Sequence, residues 1–247
     1  MLKIPLDDLL ALTKVYRCPD VSRSGLDRCL RRHGVGNLRA MLPKEGRAGH
    51  QRIKATEPGF FHMDIKYLPQ MPGETKRRHP FIAIERTTRM VFHKVMPAKT
   101  AACAQRFLKY LAETSPLKVQ KILTDNGKEF TDRLFGSREK KPSGEHEFDQ
   151  LCAALGIEHR LTRPRRPQTN GMVERFNGRI ADILRTHHFK DGESLEKTID
   201  RYVWLYNYRL PLPALGVRTP FQAMKDVYEN NKNLFQKRIY NHPGLDS

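Results

Sequence analysis

Three acids occupy positions where an acid needs a reason. Asp64 lies inside the alternating run Phe61-His62-Met63-Asp64-Ile65-Lys66-Tyr67, Asp125 follows the apolar run Val119 to Leu123, and Glu174 opens a helical pattern just after a basic, proline-rich stretch. Each has an ordinary structural reading. A polar triplet of His62, Asp64 and Lys66 can be the wet face of a strand, Asp125-Asn126-Gly127 is a turn signal, and a glutamate in a helix's first turn complements the helix dipole. Taken together they suggest chemistry. Carboxylates gathered in one place repel unless cations lie between them. Hard divalent cations such as Mg²⁺ take oxygen ligands, and a pair ~3.5–4 Å apart stabilises both the attacking and the leaving oxygen of an in-line displacement. Phosphodiester cleavage or transfer is the reaction that fits.

Positioning three such acids requires a sheet and a helix laid against it. Strand patterns cover Phe61 to Tyr67, Phe81 to Ile84, Met90 to Val95, Val119 to Leu123 and Ile157 to Leu161, and helical patterns cover residues 100–113 and Glu147 to Leu155. A meander followed by strands alternating with helices predicts an α/β fold, a mixed sheet covered by helices. If the strands of Asp64 and Asp125 are neighbours, their carboxylates meet at the ~5 Å strand spacing. A helix from Met172 to His187, with Val173, Phe176, Ile180, Ile183 and Leu184 on one stripe, could then bring in Glu174.

The flanking segments differ in character. At the N-terminus, Leu6, Leu9, Leu10, Leu12 and Val15 have helical spacing, and Ser22 or Ser24 caps a second short helix ending near Gly34. This predicts a helix-turn-helix-like unit within residues 1–53 that offers Arg23, Arg28, Arg31 and Arg32 to DNA and lacks a first helix. Residues 38–58 read as a linker, the core is expected over 54–188, and a C-terminal helical extension over 189–247, with Thr219-Pro220 opening its last helix.

Charge narrows the partner. Forty-five Lys and Arg against 27 Asp and Glu leave a net charge of +18, which favours nucleic acid because a polyphosphate rewards each added cation by counterion release. Residues 1–57 carry +6 of it, and six arginines lie between Arg160 and Arg179 against the single acid Glu174. The longest apolar run, Leu151 to Leu155, is far below the about 20 residues of a membrane span. A cytoplasmic, nucleoid-associated protein with no membrane partner is expected. Cys18, Cys29, Cys103 and Cys152 form no CxxC pair, so neither a disulfide framework nor a zinc finger is expected, and Cys18, Cys29, His33 and His50 match no standard zinc spacing.

Three segments carry a family resemblance: His62-Met63-Asp64-Ile65-Lys66, Thr124-Asp125-Asn126-Gly127-Lys128-Glu129-Phe130, and Arg166-Pro167-Gln168-Thr169-Asn170-Gly171-Met172-Val173-Glu174-Arg175-Phe176-Asn177. In that order they resemble the signatures of the retroviral-integrase-like DDE transposases of bacterial insertion sequences. The tail from Tyr206-Asn207-Tyr208-Arg209 to Thr219-Pro220 is similar to the segment closing that family's catalytic region. The resemblance covers about residues 55–225.

It implies a ribonuclease-H-like five-stranded mixed sheet flanked by helices, and Asp64, Asp125 and Glu174 as the catalytic triad. It also implies two Mg²⁺ ions held with DNA bound, with Mn²⁺ able to substitute. The implied reaction is cleavage at element ends followed by attack of the freed 3′-OH on target DNA, by a homo-oligomer assembled on double-stranded element ends and target. Lys66, Arg163, Arg165, Arg166, Gln168, Asn170, Arg175 and Asn177 are implied to line the cleft or the DNA path, and Asn126 and Gly127 to shape the turn that holds Asp125. Two departures stand out. Forty-eight residues separate Asp125 from Glu174, more than is usual for the family, with an inserted loop over 131–148. The N-terminal region is also shorter than usual, which raises the alternative of a truncated or catalytically idle copy that binds DNA and represses transposition.

Overall fold

Apolar side chains on both faces of the central strands require cover on both sides, and the architecture follows from that. The structure is a computed structural model that describes residues 5–33, 57–71, 74–132, 142–162, 171–187 and 189–239. Most of the expected linker, the middle of the 131–148 insertion and the basic segment with Arg163, Arg165, Arg166, Gln168 and Asn170 lie outside the described residues.

Five strands, β1 (Phe60–Ile65), β2 (His79–Glu85), β3 (Val91–Met96), β4 (Lys121–Thr124) and β5 (Glu158–Leu161), form one sheet in the order β3-β2-β1-β4-β5. The β3-β2-β1 meander is antiparallel, and β1-β4 and β4-β5 are parallel. The expected mixed sheet is present, with the strands of Asp64 and Asp125 adjacent.

On one face Phe61, Met63, Phe81, Ala83 and Ile122 pack under α3 (Ala101–Thr114) and α4 (Glu147–Ala154) through Phe107, Leu108, Leu111, Phe148 and Cys152. Thr100 caps α3 by accepting from the Cys103 N–H, and the stripe Cys103, Phe107, Leu108, Leu111 has the period of a helix's buried face. Each aromatic fully withdrawn from water here, such as Phe61 or Phe107, contributes roughly 1.5–3 kcal/mol.

The other face is covered by α5 (Gly171–Thr186) and α6 (Gly192–Tyr208), where Val173, Phe176, Ile180, Ile183, Ile199 and Tyr202 meet Ile82, Ile84 and Val91. The His62-Asp64 face of β1 is therefore not a wet face. His62 is buried and Asp64 only partly exposed, because α5 lies over them. Both sides of the sheet are covered, as alternation within one strand could not tell.

α6 shares its core with α5. A capping box between Asp191 and Ser194 starts α6, and a second one between Thr219 and Gln222, with Pro220 in the first turn, starts α7 (Pro220–Asn230). Met224 and Phe235 then close on Leu117 and Met90.

The N-terminal helices α1 (Leu6–Tyr16) and α2 (Arg23–Arg32) form a short pair, with Ser22 capping α2 through the Gly25 N–H. α1 is docked on the core: Ala11 and Leu12 pack against the α5–α6 cluster. Asp8 is buried, accepting from Arg179 of α5 and, at 3.0 Å, from the Tyr202 hydroxyl of α6.

Candidate active site

Asp64 is delivered by the sheet register. β1 and β4 pair in parallel with Phe60 beside Lys121, Phe61 beside Ile122 and His62 beside Leu123. Carried two residues further, the same register sets Asp64, still paired with β2, beside Asp125, which directly follows β4. Because Phe61, Met63 and Ile65 point to the α3 face, alternation aims Asp64 at α5.

There its carboxylate accepts the Asn177 amide at 2.8 Å on Oδ2 and its neighbour's Ile65 N–H at 2.8 Å on Oδ1. Burial lifts the Asp64 carboxyl to about 6, and the charges of Asp125 and Glu174 push the same way against the Ile65 hydrogen bond and the Lys99 ammonium. Asp125 and Glu174 thus each stand within electrostatic reach of Asp64. Among the described residues, however, no group of three or more His, Cys, Asp or Glu side chains is drawn together as a ready metal site. Glu174 stands exposed in the first turn of α5.

The Asp125 turn is tightly tied. Asp125 Oδ1 accepts the Gly127 N–H at 3.0 Å, the Asn126 amide donates to the Thr162 carbonyl at 2.9 Å, and the Thr124 hydroxyl lies 3.0 Å from the Asp125 carbonyl. Thr124 is in turn 2.9 Å from His159 Nε2, whose Nδ1 bonds Asp149.

Glu129, of the same motif, is buried and pairs with Lys99 Nζ at 3.1 Å. A Cβ on Gly127 would collide with the Glu129 carboxylate. Lys99 also lies 5.4 Å from the centre of the exposed Tyr67 ring. Neither Lys99 nor the Asp149–His159 pair was visible in the sequence, since a lone lysine or histidine carries no spacing signal; Glu129 lay in a quoted motif without a role attached to it.

The remaining expected site residues divide. Lys66 follows β1, half-buried, its ammonium shifted downward by burial with Asp64 opposing. Arg175 is exposed on α5, and Asn177 holds Asp64. On the N-terminal pair, Arg28, Arg31 and Arg32 are exposed, Arg31 pairing with Asp27 at 3.0 Å, whereas Arg23 is partly buried and pairs with Asp7 at 2.7 Å. Arg179, counted among the six arginines near Glu174, is committed to Asp8.

Two family models, both described as the integrase core domain, match residues 55–167 and 155–220. Residues 55–220 are thus similar throughout to the integrase core domain. The chain is 25% identical over 190 residues to the ORF3 product of Spiroplasma virus SpV1-C74, described as an integrase, covering 74% of this chain and 52% of the relative. It is 32% identical over 82 residues to the retrovirus-related Pol polyprotein from transposon TNT 1-94 of Nicotiana tabacum, covering 33% of this chain and 5% of that polyprotein. The chain thus spans about half the length of the viral relative and a small part of the tobacco one. In fold it is similar to the catalytic core domain of BIV integrase, with a TM-score of 0.51 at 20% identity over 70% of this chain and 98% of that one. The fold of this chain is therefore ribonuclease-H-like.

The donors of the core suit a hard divalent cation. All three acids offer oxygen, and the pressure that lifts Asp64 is what a cation would relieve. Asn177 Oδ1 beside them is buried and lacks a hydrogen-bond partner among the described residues, a further acceptor for a bound ion's water. No helix among the described residues is long and apolar enough to cross a membrane.

Proposed function

We propose that this chain is a DDE transposase of a bacterial insertion sequence, cutting DNA at element ends and joining the freed 3′-OH to target DNA. The observation that carries the reading is the parallel β1–β4 register, which sets Asp64 beside Asp125 with Glu174 near enough to raise the Asp64 carboxyl. In this reading Asp64, Asp125 and Glu174 would hold Mg²⁺ ions, two with DNA bound, and such ions would supply Lewis-acid charge at the scissile phosphate.

The chain's own groups do the rest. Asn177 fixes the Asp64 carboxylate, Gly127 N–H fixes that of Asp125, and Lys66 and Lys99 bring positive charge to the phosphate side of the cleft. In the first step a water oxygen bonds to phosphorus, the P–O3′ bond breaks and the element end leaves as a 3′-OH. In the second step that hydroxyl bonds to a target phosphorus and gives up its proton, while the P–O bond to the target's own 3′ oxygen breaks and that oxygen takes up a proton from solvent. Phosphodiester bonds are conserved in the second step, so no external energy source is needed. The exposed Arg28, Arg31 and Arg32 of α2 meet element-end duplex, Arg163, Arg165, Arg166, Gln168, Asn170 and Arg175 track the DNA, and copies of the chain assemble on it near the nucleoid.

Strand-transfer assays with labelled element ends test the reading. Asp64→Asn, Asp125→Asn and Glu174→Gln are each expected to lower joining by orders of magnitude with DNA binding retained. Wild-type joining in any one of them rejects it.

A further inference from the structure

Behind Asp125 runs a chain of side chains that the reaction itself does not use. Asp149 of α4 bonds His159 Nδ1 on β5, and His159 Nε2 lies 2.9 Å from the Thr124 hydroxyl on β4, which lies 3.0 Å from the carbonyl oxygen of Asp125. All three side chains are largely withdrawn from water: the Thr124 residue has no exposure, the His159 side chain 5% and the Asp149 side chain 17%. Phe148 sets its ring edge-on to His159 at 5.0 Å, which fixes the plane of the imidazole.

The chemistry of the chain is directional. A carboxylate can only accept, so Asp149 places the histidine proton on Nδ1 and leaves Nε2 with its lone pair. Nε2 and the Asp125 carbonyl then share the single hydroxyl hydrogen of Thr124 in a three-centre hydrogen bond, so the hydroxyl ties β5 to the peptide that follows β4. That hydroxyl is buried, so it is no nucleophile, and its only service is to hold the peptide at which Asp125 leaves the sheet. The same peptide turn carries the Gly127 N–H that grips the Asp125 carboxylate.

We propose that Asp149, His159 and Thr124 are positioning residues that orient the Asp125 carboxylate for a divalent cation, linking α4 and β5 to the metal-holding end of β4. This rests on the reading of Asp125 as a metal-holding residue. Partners that orient ligating side chains in this way change metal affinity by roughly 10–100-fold when lost.

The test is calorimetric titration of the full chain with Mn²⁺, beside melting curves, for wild type, Asp125→Asn, His159→Phe, Thr124→Val and Thr124→Ser. His159→Phe keeps a ring against Phe148 without hydrogen bonds. Thr124→Val keeps the shape without the hydroxyl, and Thr124→Ser keeps the hydroxyl with less bulk. The expected result is a loss of Mn²⁺ affinity of roughly tenfold or more in His159→Phe and Thr124→Val, with Thr124→Ser within about twofold of wild type. A packing role alone would order the two Thr124 variants the other way, since Ser leaves the larger gap.

Wild-type affinity in Thr124→Val overturns the relay, as does Ser binding no better than Val. Should His159→Phe fail to fold, the two Thr124 variants decide the matter. If Asp125→Asn binds Mn²⁺ as tightly as wild type, the metal reading of the site fails and the relay with it. If Asp125→Asn loses affinity while Thr124→Val keeps it, the relay alone is wrong.

Discussion

The Asn177 amide donates to Asp64 Oδ2 at 2.8 Å and so joins the acid on β1 to the helix that bears Glu174. Asn177 follows Glu174 by three positions and lies on the same side of α5. One face of one helix thus offers a carboxylate to the cleft and a donor to the acid already there. Removing the donor in Asn177→Ala frees the Asp64 carboxylate to turn. Cleavage and joining are expected to fall roughly 10–100-fold, the size of effect seen when a group orienting a metal ligand is lost. Asn177→Asp is expected to be worse, because it adds a like charge to a carboxyl already raised by burial and, to a lesser degree, by Asp125 and Glu174. Single-turnover cleavage of a labelled end, with melting curves alongside, checks this; wild-type rates in Asn177→Ala would exclude the role.

A side chain at Gly127 would press on the Glu129 carboxylate, which is buried and pinned by Lys99 at 3.1 Å. Gly127→Ala must displace that carboxylate or the Asp125 turn, and strand transfer is expected to fall at least tenfold. Glu129→Gln removes the charge facing Lys99. Breaking a fully buried ion pair costs about 3–5 kcal/mol, and with Lys99 partly in contact with water we expect about 1–2 kcal/mol. Chemical denaturation measures the second effect. A Glu129→Gln protein as stable as wild type would show that the pair is not a structural tie.

Much of this was legible in the sequence, and the limits have physical causes. That Asp64 lies on a strand and Asp125 at the end of another is legible because short β-rich runs and a turn signal are local features, and the α5 stripe from Val173 to Ile183 has the helical period. That the two strands are neighbours is a long-range pairing, which the sequence leaves conditional. The His62 face of β1 was open to misreading, since alternation within one strand cannot report what lies across it; α5, more than a hundred residues later, buries it. Arg179 belonged to a basic cluster by sequence but turns to Asp8 at the other end of the chain. His159 gained its role only when β5 paired with β4 and α4 packed behind it. Contacts between residues distant in sequence leave no local pattern, and these are the ones that orient the acids.

Docking of the N-terminal helices depends on one buried carboxylate. Asp8 accepts from Arg179 and from Tyr202, while Arg179 also lies over the Tyr206 ring at 5.8 Å. Asp8→Ala leaves the largely buried Arg179 without its partner, a loss of about 2–3 kcal/mol given that the guanidinium keeps some contact with water. Limited proteolysis is expected to cut between α2 and β1 earlier in Asp8→Ala than in wild type, with release of the N-terminal pair. Unchanged cleavage kinetics would mean that Ala11, Leu12 and their neighbours hold the pair without the ion pair.

His159 gives the metal-free protein a stability that depends on pH. Burial lowers its value below the ordinary 6.5, the His146 charge adds to that, and Asp149 opposes both. In the unfolded chain the imidazole takes a proton near its ordinary value, and in the folded protein it does so only at lower pH. The unfolded state therefore binds more protons between the two values. The contribution of His159 is complete above about pH 6.5 and is lost as pH falls through the folded value. The slope from one proton cannot exceed about 1.4 kcal/mol per pH unit. Buried Asp8 and Glu85, both raised by burial, act in the opposite sense because their acid forms are favoured in the folded state, so the total curve hides the effect. The difference between wild type and His159→Phe isolates it. Urea denaturation from pH 8 to pH 5 is expected to show the wild type losing stability relative to His159→Phe as the pH falls below about 6.5, and parallel curves would show that the imidazole titrates alike in both states.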